Sequence, residues 1–144
     1  MEVMVFAAVD LKEPAGREHV QNCLTELSSD FETVFEYHVP EEEEEELYAE
    51  DEAVSRVRLY SSSENIRDSV LTMVKAVEKL MLLAKKFFIG ARLTFGSCEE
   101  AGRFAESVSA MDSSVIVWLC DRKVDVIVVN SLDADKILKV IECR

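Results

Sequence analysis

Residues 61–90, SSSENIRDSVLTMVKAVEKLMLLAKKFFIG, decide how the rest of the chain is read. Ile66, Val70, Met73, Val77, Leu80, Ala84 and Phe87 step alternately by four and three, the spacing that lines side chains along one seam of an α-helix. Over the whole stretch such a helix would be about 40 Å long at 1.5 Å per residue. Ser61 with Glu64 three places on has the form of a capping box, and Gly90 suits the left-handed conformation that closes a helix. Val74, Met81 and Phe88 add a second row, and Leu82, Leu83 and Ile89 carry apolar surface almost round the circumference of the last turns. A helix apolar on all sides must be covered on several, and one small sheet covers only one of them. The stretch therefore predicts a docking surface for a protein partner, or for a second copy of the chain, made by Val74, Met81, Leu83, Phe87 and Phe88.

Outward from this centre, strand and helix patterns alternate. Glu2 to Leu11 is β-branched and apolar and reads as a central strand, ended by Asp10, Lys12, Glu13 and Pro14. Pro14 and Ala15 open a helix to about Ser28, with Val20, Cys23, Leu24 and Leu27 on its inner side. Phe31 to Val39 alternates as a half-buried strand, and Ala53 to Tyr60 does so again. After residue 90, Ala91 to Gly96 reads as a short strand, and Ser97 caps a helix over about Glu99 to Met111 with Ala101, Phe104, Ala105, Val108 and Met111 inward. Ser114 to Asp121 and Val124 to Ser131 form a hairpin, and Asp133 leads the closing helix, whose Ile137, Leu138, Val140 and Ile141 face the core. The order is βαββα followed by βαββα. It predicts a single α+β domain over residues 1–144, with a mixed, largely antiparallel sheet and helices packed on it, as in ferredoxin-like folds.

Composition narrows the function classes. With 49% hydrophobic and 31% charged residues the chain has the balance of a soluble globular protein. No run is long enough to span a membrane, and Val3 to Val9 lacks the basic leader and cleavage site of a signal peptide, so the expected location is intracellular, cytoplasmic or nuclear. Cys23, Cys98, Cys120 and Cys143 are scattered without a C-x-x-C pair and read as thiols. The formal net charge is −13, of which nine acids between 41 and 52 supply −9, leaving −4 on the rest of the chain. That run opposes compaction through its own repulsion and reads as a disordered acidic loop between two strands. An acidic body disfavours nucleic acid, for which the one basic patch available is Arg56, Arg58 and Arg92, should their strands pair.

Candidate chemistry is sparse. His19 and His38 fall on outer faces with no nucleophile or second histidine at catalytic spacing. Asp10, at the end of a central strand, and the Gly96–Cys98 turn at a helix start are the positions for a small ligand, although Glu99 and Glu100 there repel phosphate. Both faces of Val115–Cys120 are apolar, so this strand is covered on two sides or meets a partner on one, and Trp118 reads as a core residue. The sequence carries no P-loop, H-E-x-x-H, G-x-S-x-G or EF-hand motif. The reading is a protein with no catalytic residues and no cofactor or metal.

Val5-Phe-Ala-Ala-Val9 with Ala15-Gly-Arg-Glu18, then Arg58-Leu-Tyr-Ser-Ser-Ser-Glu-Asn-Ile66, and finally Ala91-Arg-Leu-Thr-Phe95 followed by Val115 to Leu119, resemble the small TPRKB-like subunit of the KEOPS tRNA-modification complex, which binds the kinase-fold subunit. The resemblance follows the element order over about three-quarters of the chain. The family's Lys-Thr/Arg stretch after the long helix and its Asn-Ile pair before the next one have no counterpart here, so no tRNA contact is carried over. The resemblance implies a non-catalytic regulatory subunit that docks a partner through helical surface. Two other expectations stand beside it: a small-ligand-binding regulatory module of the ferredoxin-like kind, with its ligand near Asp10 and Gly96, and an RNA-binding subunit.

Overall fold

The computed structural model describes residues 2–25, 27, 31–39, 53–61 and 64–142. The acidic run 41–52, Ser28 and Cys143 lie outside them. In chain order the elements are β1 (Glu2–Gly16), α1 (Arg17–Leu24), β2 (Glu32–Tyr37), β3 (Ala53–Ser61), α2 (Ile66–Leu80), β4 (Ala84–Thr94), α3 (Cys98–Met111), β5 (Ile116–Cys120), β6 (Lys123–Val129) and α4 (Ala134–Ile141). The six strands form one sheet in the order β2-β3-β1-β4-β6-β5, with every neighbouring pair antiparallel. The α+β architecture is thus the expected one.

The sheet is built from two equivalent halves. The first βαββα contributes β2-β3-β1, the second contributes β4-β6-β5, and they meet where β1 pairs with β4. In chain order fifteen residues, 38–52, separate β2 from β3, where the second half has only Asp121 and Arg122 between its two strands. Strand direction explains where the helices go. The connection β1–α1–β2 runs one way across the sheet, whereas β3–α2–β4 and β4–α3–β5 run the other way from strands pointing the opposite way. With right-handed crossovers, reversing both directions leaves the helix on the same side, so all three fall on one face. One core results: Val5, Ala7 and Val9 of β1, Val57 and Leu59 of β3, Ile89, Ala91 and Leu93 of β4 and Val124 and Val126 of β6 pack against Val20, Met73, Val77, Leu80, Phe104, Val108, Ile137 and Ile141 of the helices.

The central stretch differs from its sequence reading. The helical seam holds from Ile66 through Val70, Met73, Val77 and Leu80, and there α2 ends after 15 residues, about 22 Å. Residues 81–83 form a turn in which Leu83 and Ala84 donate backbone hydrogen bonds to Leu80 and Met81, and Ala84 starts β4. The apolarity that looked like a helix greasy all round belongs to a strand between two others, with Phe87, Ile89, Ala91 and Leu93 on one face and Phe88, Gly90 and Arg92 on the other. No glycine or proline marks the change, so the helical spacing of Leu80, Ala84 and Phe87 runs straight through it. Ser61 ends β3, and its buried hydroxyl donates to Ser69 Oγ at 3.0 Å; the cap of α2 is Asn65, whose side chain accepts from the Asp68 amide at 3.2 Å. Gly90 lies in mid-strand and closes no helix.

Other boundaries move less. β1 runs on to Gly16 through an irregularity between Asp10 and Ala15, which holds Pro14 where its missing N–H costs no ladder bond. The first helix is correspondingly shorter than expected. Ser97 and Asp133 cap α3 and α4, accepting from the Glu100 and Lys136 amides at 3.2 and 3.1 Å.

Candidate site on the uncovered sheet face

Alternate residues of each strand point away from the helices, and among the described residues nothing packs over them. The registers place them in rows. One row is ionic: Glu36, Arg56, Asp10 and Lys86. The next is Val34, Arg58, Ala8, Phe88 and Val129, followed by Glu32, Tyr60, Phe6, Gly90, Ile127 and Ile116, and then by Met4, Arg92, Asp125 and Trp118. An apolar band therefore crosses all six strands from Val34 to Trp118, about 24 Å at 4.8 Å per strand. On the edge strands Val34, Ile116 and Trp118 are 38%, 43% and 67% exposed, whereas in the middle Phe6, Tyr60, Phe88 and Ile127 are half-buried and Ala8 is closed off by its neighbours.

The middle of the band is a shallow concavity of about 280 Å³ lined by Met4, Phe6, Tyr60, Phe88, Arg92 and Ile127, among others. Phe6 and Phe88 meet edge to face with ring centroids 6.1 Å apart. Gly90 makes the packing possible: a Cβ there would sit 2.6 Å from the Val126 carbonyl oxygen and 2.8 Å from Phe6 Cζ. Phe6 can lie across β4 only because this residue has no side chain.

The arginines of the face are all held by carboxylates. Arg56 donates from Nε and Nη2 to the two oxygens of Asp10, the latter at 3.0 Å. Arg92 grips Asp125 in the same bidentate way at 2.7 and 3.0 Å. Arg58 Nε lies 2.6 Å from Glu36 Oε1, an ion pair in distance but outside hydrogen-bond geometry, so this buried nitrogen makes no hydrogen bond. Hydrogen bonding to their carboxylates pushes the Arg56 and Arg92 guanidinium groups further above their ordinary pKa. Glu2, Asp10, Glu32, Glu36 and Asp125 balance Arg56, Arg58, Lys86, Arg92 and Lys123, so the face has both signs and no excess of either. The strands of the three arginines do not pair with each other, as the patch required; β3 and β4 lie on either side of β1, and each arginine faces a carboxylate instead.

The remaining sequence expectations are placed as follows. Val74 is 7% and Phe87 7% exposed, both in the core. Leu83 packs partly buried against that core, Met81 is open at the end of α2, and Phe88 is on the other side of the sheet. The five residues thus form no common surface. Asp10 pairs across from Lys86 while Glu2 pairs with Thr94, just before Gly96; eight residues of β4, about 27 Å, separate the two positions meant to share a ligand. The Glu100 carboxylate stands near Gly96, within 4 Å of where a Cβ would be. His19 and His38 are exposed. Trp118 is on an edge strand and open to solvent, because β5 has a neighbour on one side only. Among the described residues no group of three or more His, Cys, Asp or Glu is disposed to hold a metal, and no helix is long and apolar enough to cross a membrane. Cys23, Cys98 and Cys120 are free thiols.

Sequence reasoning missed the band itself. Its signal was there in the doubly apolar runs around residues 5–8 and 115–120, read as buried strands, and 87–90, read as the last turn of a helix. Comparison with known proteins adds no template: no protein-family model, no curated protein and no solved structure matches this chain.

Proposed function

We propose that the chain is a non-catalytic interaction subunit that binds a protein through the uncovered face of its sheet, in an assembly of the KEOPS tRNA-modification kind that its sequence resembles. The observation that supports this reading is the apolar band from Val34 to Trp118, rimmed by paired charges of both signs. Exposed apolar residues that adjoin one another within a polar rim mark an interaction site, and an apolar centre with a polar rim is the anatomy of a protein interface. The partner has matching chemistry: an apolar protuberance or sheet face with its own mixed charges around it. Burial of Phe6, Tyr60, Phe88 and Ile127 on binding would supply the favourable term, and the held arginines would fix orientation without having to be ordered first. An RNA partner would need those arginines to exchange their carboxylates for phosphates.

The test is quantitative co-purification from the native cell with wild type, Val34→Lys and Ile127→Lys, after thermal melts have shown that the variants fold. Loss of one specific protein with both variants supports the reading. Recovery of the same proteins in unchanged amounts contradicts it, as does loss of the partner only with Leu82→Asp, which alters the turn after α2.

A further inference from the structure

The two free edges of the sheet are finished in opposite ways. β2 carries Glu32 and Glu36 and runs into the acids that separate it from β3, the kind of charge that keeps an edge from pairing with another chain. β5 has no charge, no proline and no bulge against β6, and Ile116, Trp118, Leu119 and Cys120 are exposed along it. Because Cys120 and Lys123 close a two-residue turn, Cys120, Trp118 and Ile116 direct their backbone groups to β6, whereas Val117 and Leu119 direct theirs outward. An unpaired, uncharged and apolar edge is a template for another strand.

We propose that β5 pairs antiparallel with β5 of a second copy of this chain, joining two sheets into one of twelve strands. This goes beyond the docking face and does not require that reading to hold. The strand is self-complementary. About a two-fold axis at Trp118, Ile116 lies opposite Cys120, Val117 opposite Leu119 and Trp118 opposite its own counterpart, so no like charges meet. The placement of charge also selects this edge. On a chain of net charge −13 most contacts between copies are repulsive, but pairing through β5 keeps the acidic β2 edges at the two outer ends, each about 24 Å from the junction. The open faces would run on from one copy into the next, with the two indoles side by side at the join.

Sedimentation equilibrium of the purified chain, up to roughly 100 μM so that a micromolar Kd is sampled, tests this. The expected result is a reversible dimer, accompanied by a concentration-dependent blue shift in emission from Trp118, the only tryptophan in the chain. Trp118→Lys, at a position 67% exposed, should fold normally and stay monomeric, whereas Val34→Lys on the opposite edge should still dimerise. In a Cys120→Ser background, Trp118→Cys should cross-link to its counterpart under oxidation, since residues opposed without mutual hydrogen bonds have Cα atoms about 4.5 Å apart, within disulfide reach. A monomer throughout the range, or a Trp118→Lys protein that still dimerises, overturns the proposal.

Discussion

Gly90 and Gly102 make a paired test at the scale of single residues. A methyl group at Gly90 has no room between Phe6 and the backbone of β6, so Gly90→Ala should destabilise the fold by about 1–3 kcal/mol, seen as a lower urea midpoint with an unchanged m-value. Gly102 lies inside α3 with nothing within 4 Å, so Gly102→Ala should raise stability by roughly 0.5–1 kcal/mol through helix propensity alone. A gain at both positions would mean that Phe6 does not cross β4. The ion pairs allow a second test. Arg92 and Asp125 have side chains 43% and 22% exposed, so a double-mutant cycle with Arg92→Met and Asp125→Leu should return a coupling below about 1 kcal/mol. Because Arg56, Arg58 and Arg92 already have carboxylate partners, reversing their charge should leave RNA retention in a filter-binding assay unchanged. The sequence could offer three arginines as a patch only on condition that their strands paired; it could not show that Asp10, Glu36 and Asp125 would stand opposite them, since that depends on register between distant strands.

Within the elements, α2 and β4 show why periodicity misleads at a junction. Leu80, Ala84 and Phe87 continue the spacing of three and four, yet the chain turns at Met81–Leu83 and the apolar residues beyond belong to a strand covered by neighbours on both edges. Leu82 is 92% exposed in that turn, so Leu82→Gly should change stability by no more than about 0.5 kcal/mol, whereas in the middle of a continuous helix it would cost about 1 kcal/mol. Asn65→Ala, which removes the actual cap, should cost about 1 kcal/mol in the same denaturation assay. The α3–β5 connection has its own pH signature. The Ser114 hydroxyl and amide donate to Asp112, and Lys136 lies nearby, which together hold the Asp112 carboxyl below its ordinary pKa. A depressed folded-state pKa stabilises the fold above the unfolded value, and that stabilisation is lost as pH falls through the folded one. Thermal melts should accordingly show wild type ahead of Asp112→Asn near neutrality, with the gap closing in the acid range below the usual carboxylate pKa. The capped helices α3 and α4 were legible because their signals, Ser97 with acids in the first turn and Asp133 before an amphipathic run, are local.

For the whole molecule, element order and handedness account for the site. Two βαββα halves with right-handed crossovers put every connecting helix on one side of the sheet, which leaves the other side to solvent or to a partner. The order of elements was readable from sequence; the strand order was not, because β1 and β4 pair residues 73 to 92 positions apart, and pairing at that separation leaves no local trace. The sequence reading placed its apolar surface on a helix over 61–90, whereas among the described residues the open apolar side chains of different strands are brought together on the sheet by that pairing. The most direct measurement is hydroxyl-radical footprinting by mass spectrometry of the dilute purified chain and of the complex recovered from cells. Phe6, Tyr60, Phe88 and Trp118 should be labelled in the chain alone and protected in the complex. Protection confined instead to Leu71, Met81, Leu82 and Met111, on the helical side, with the sheet face labelled equally in both, would contradict the account.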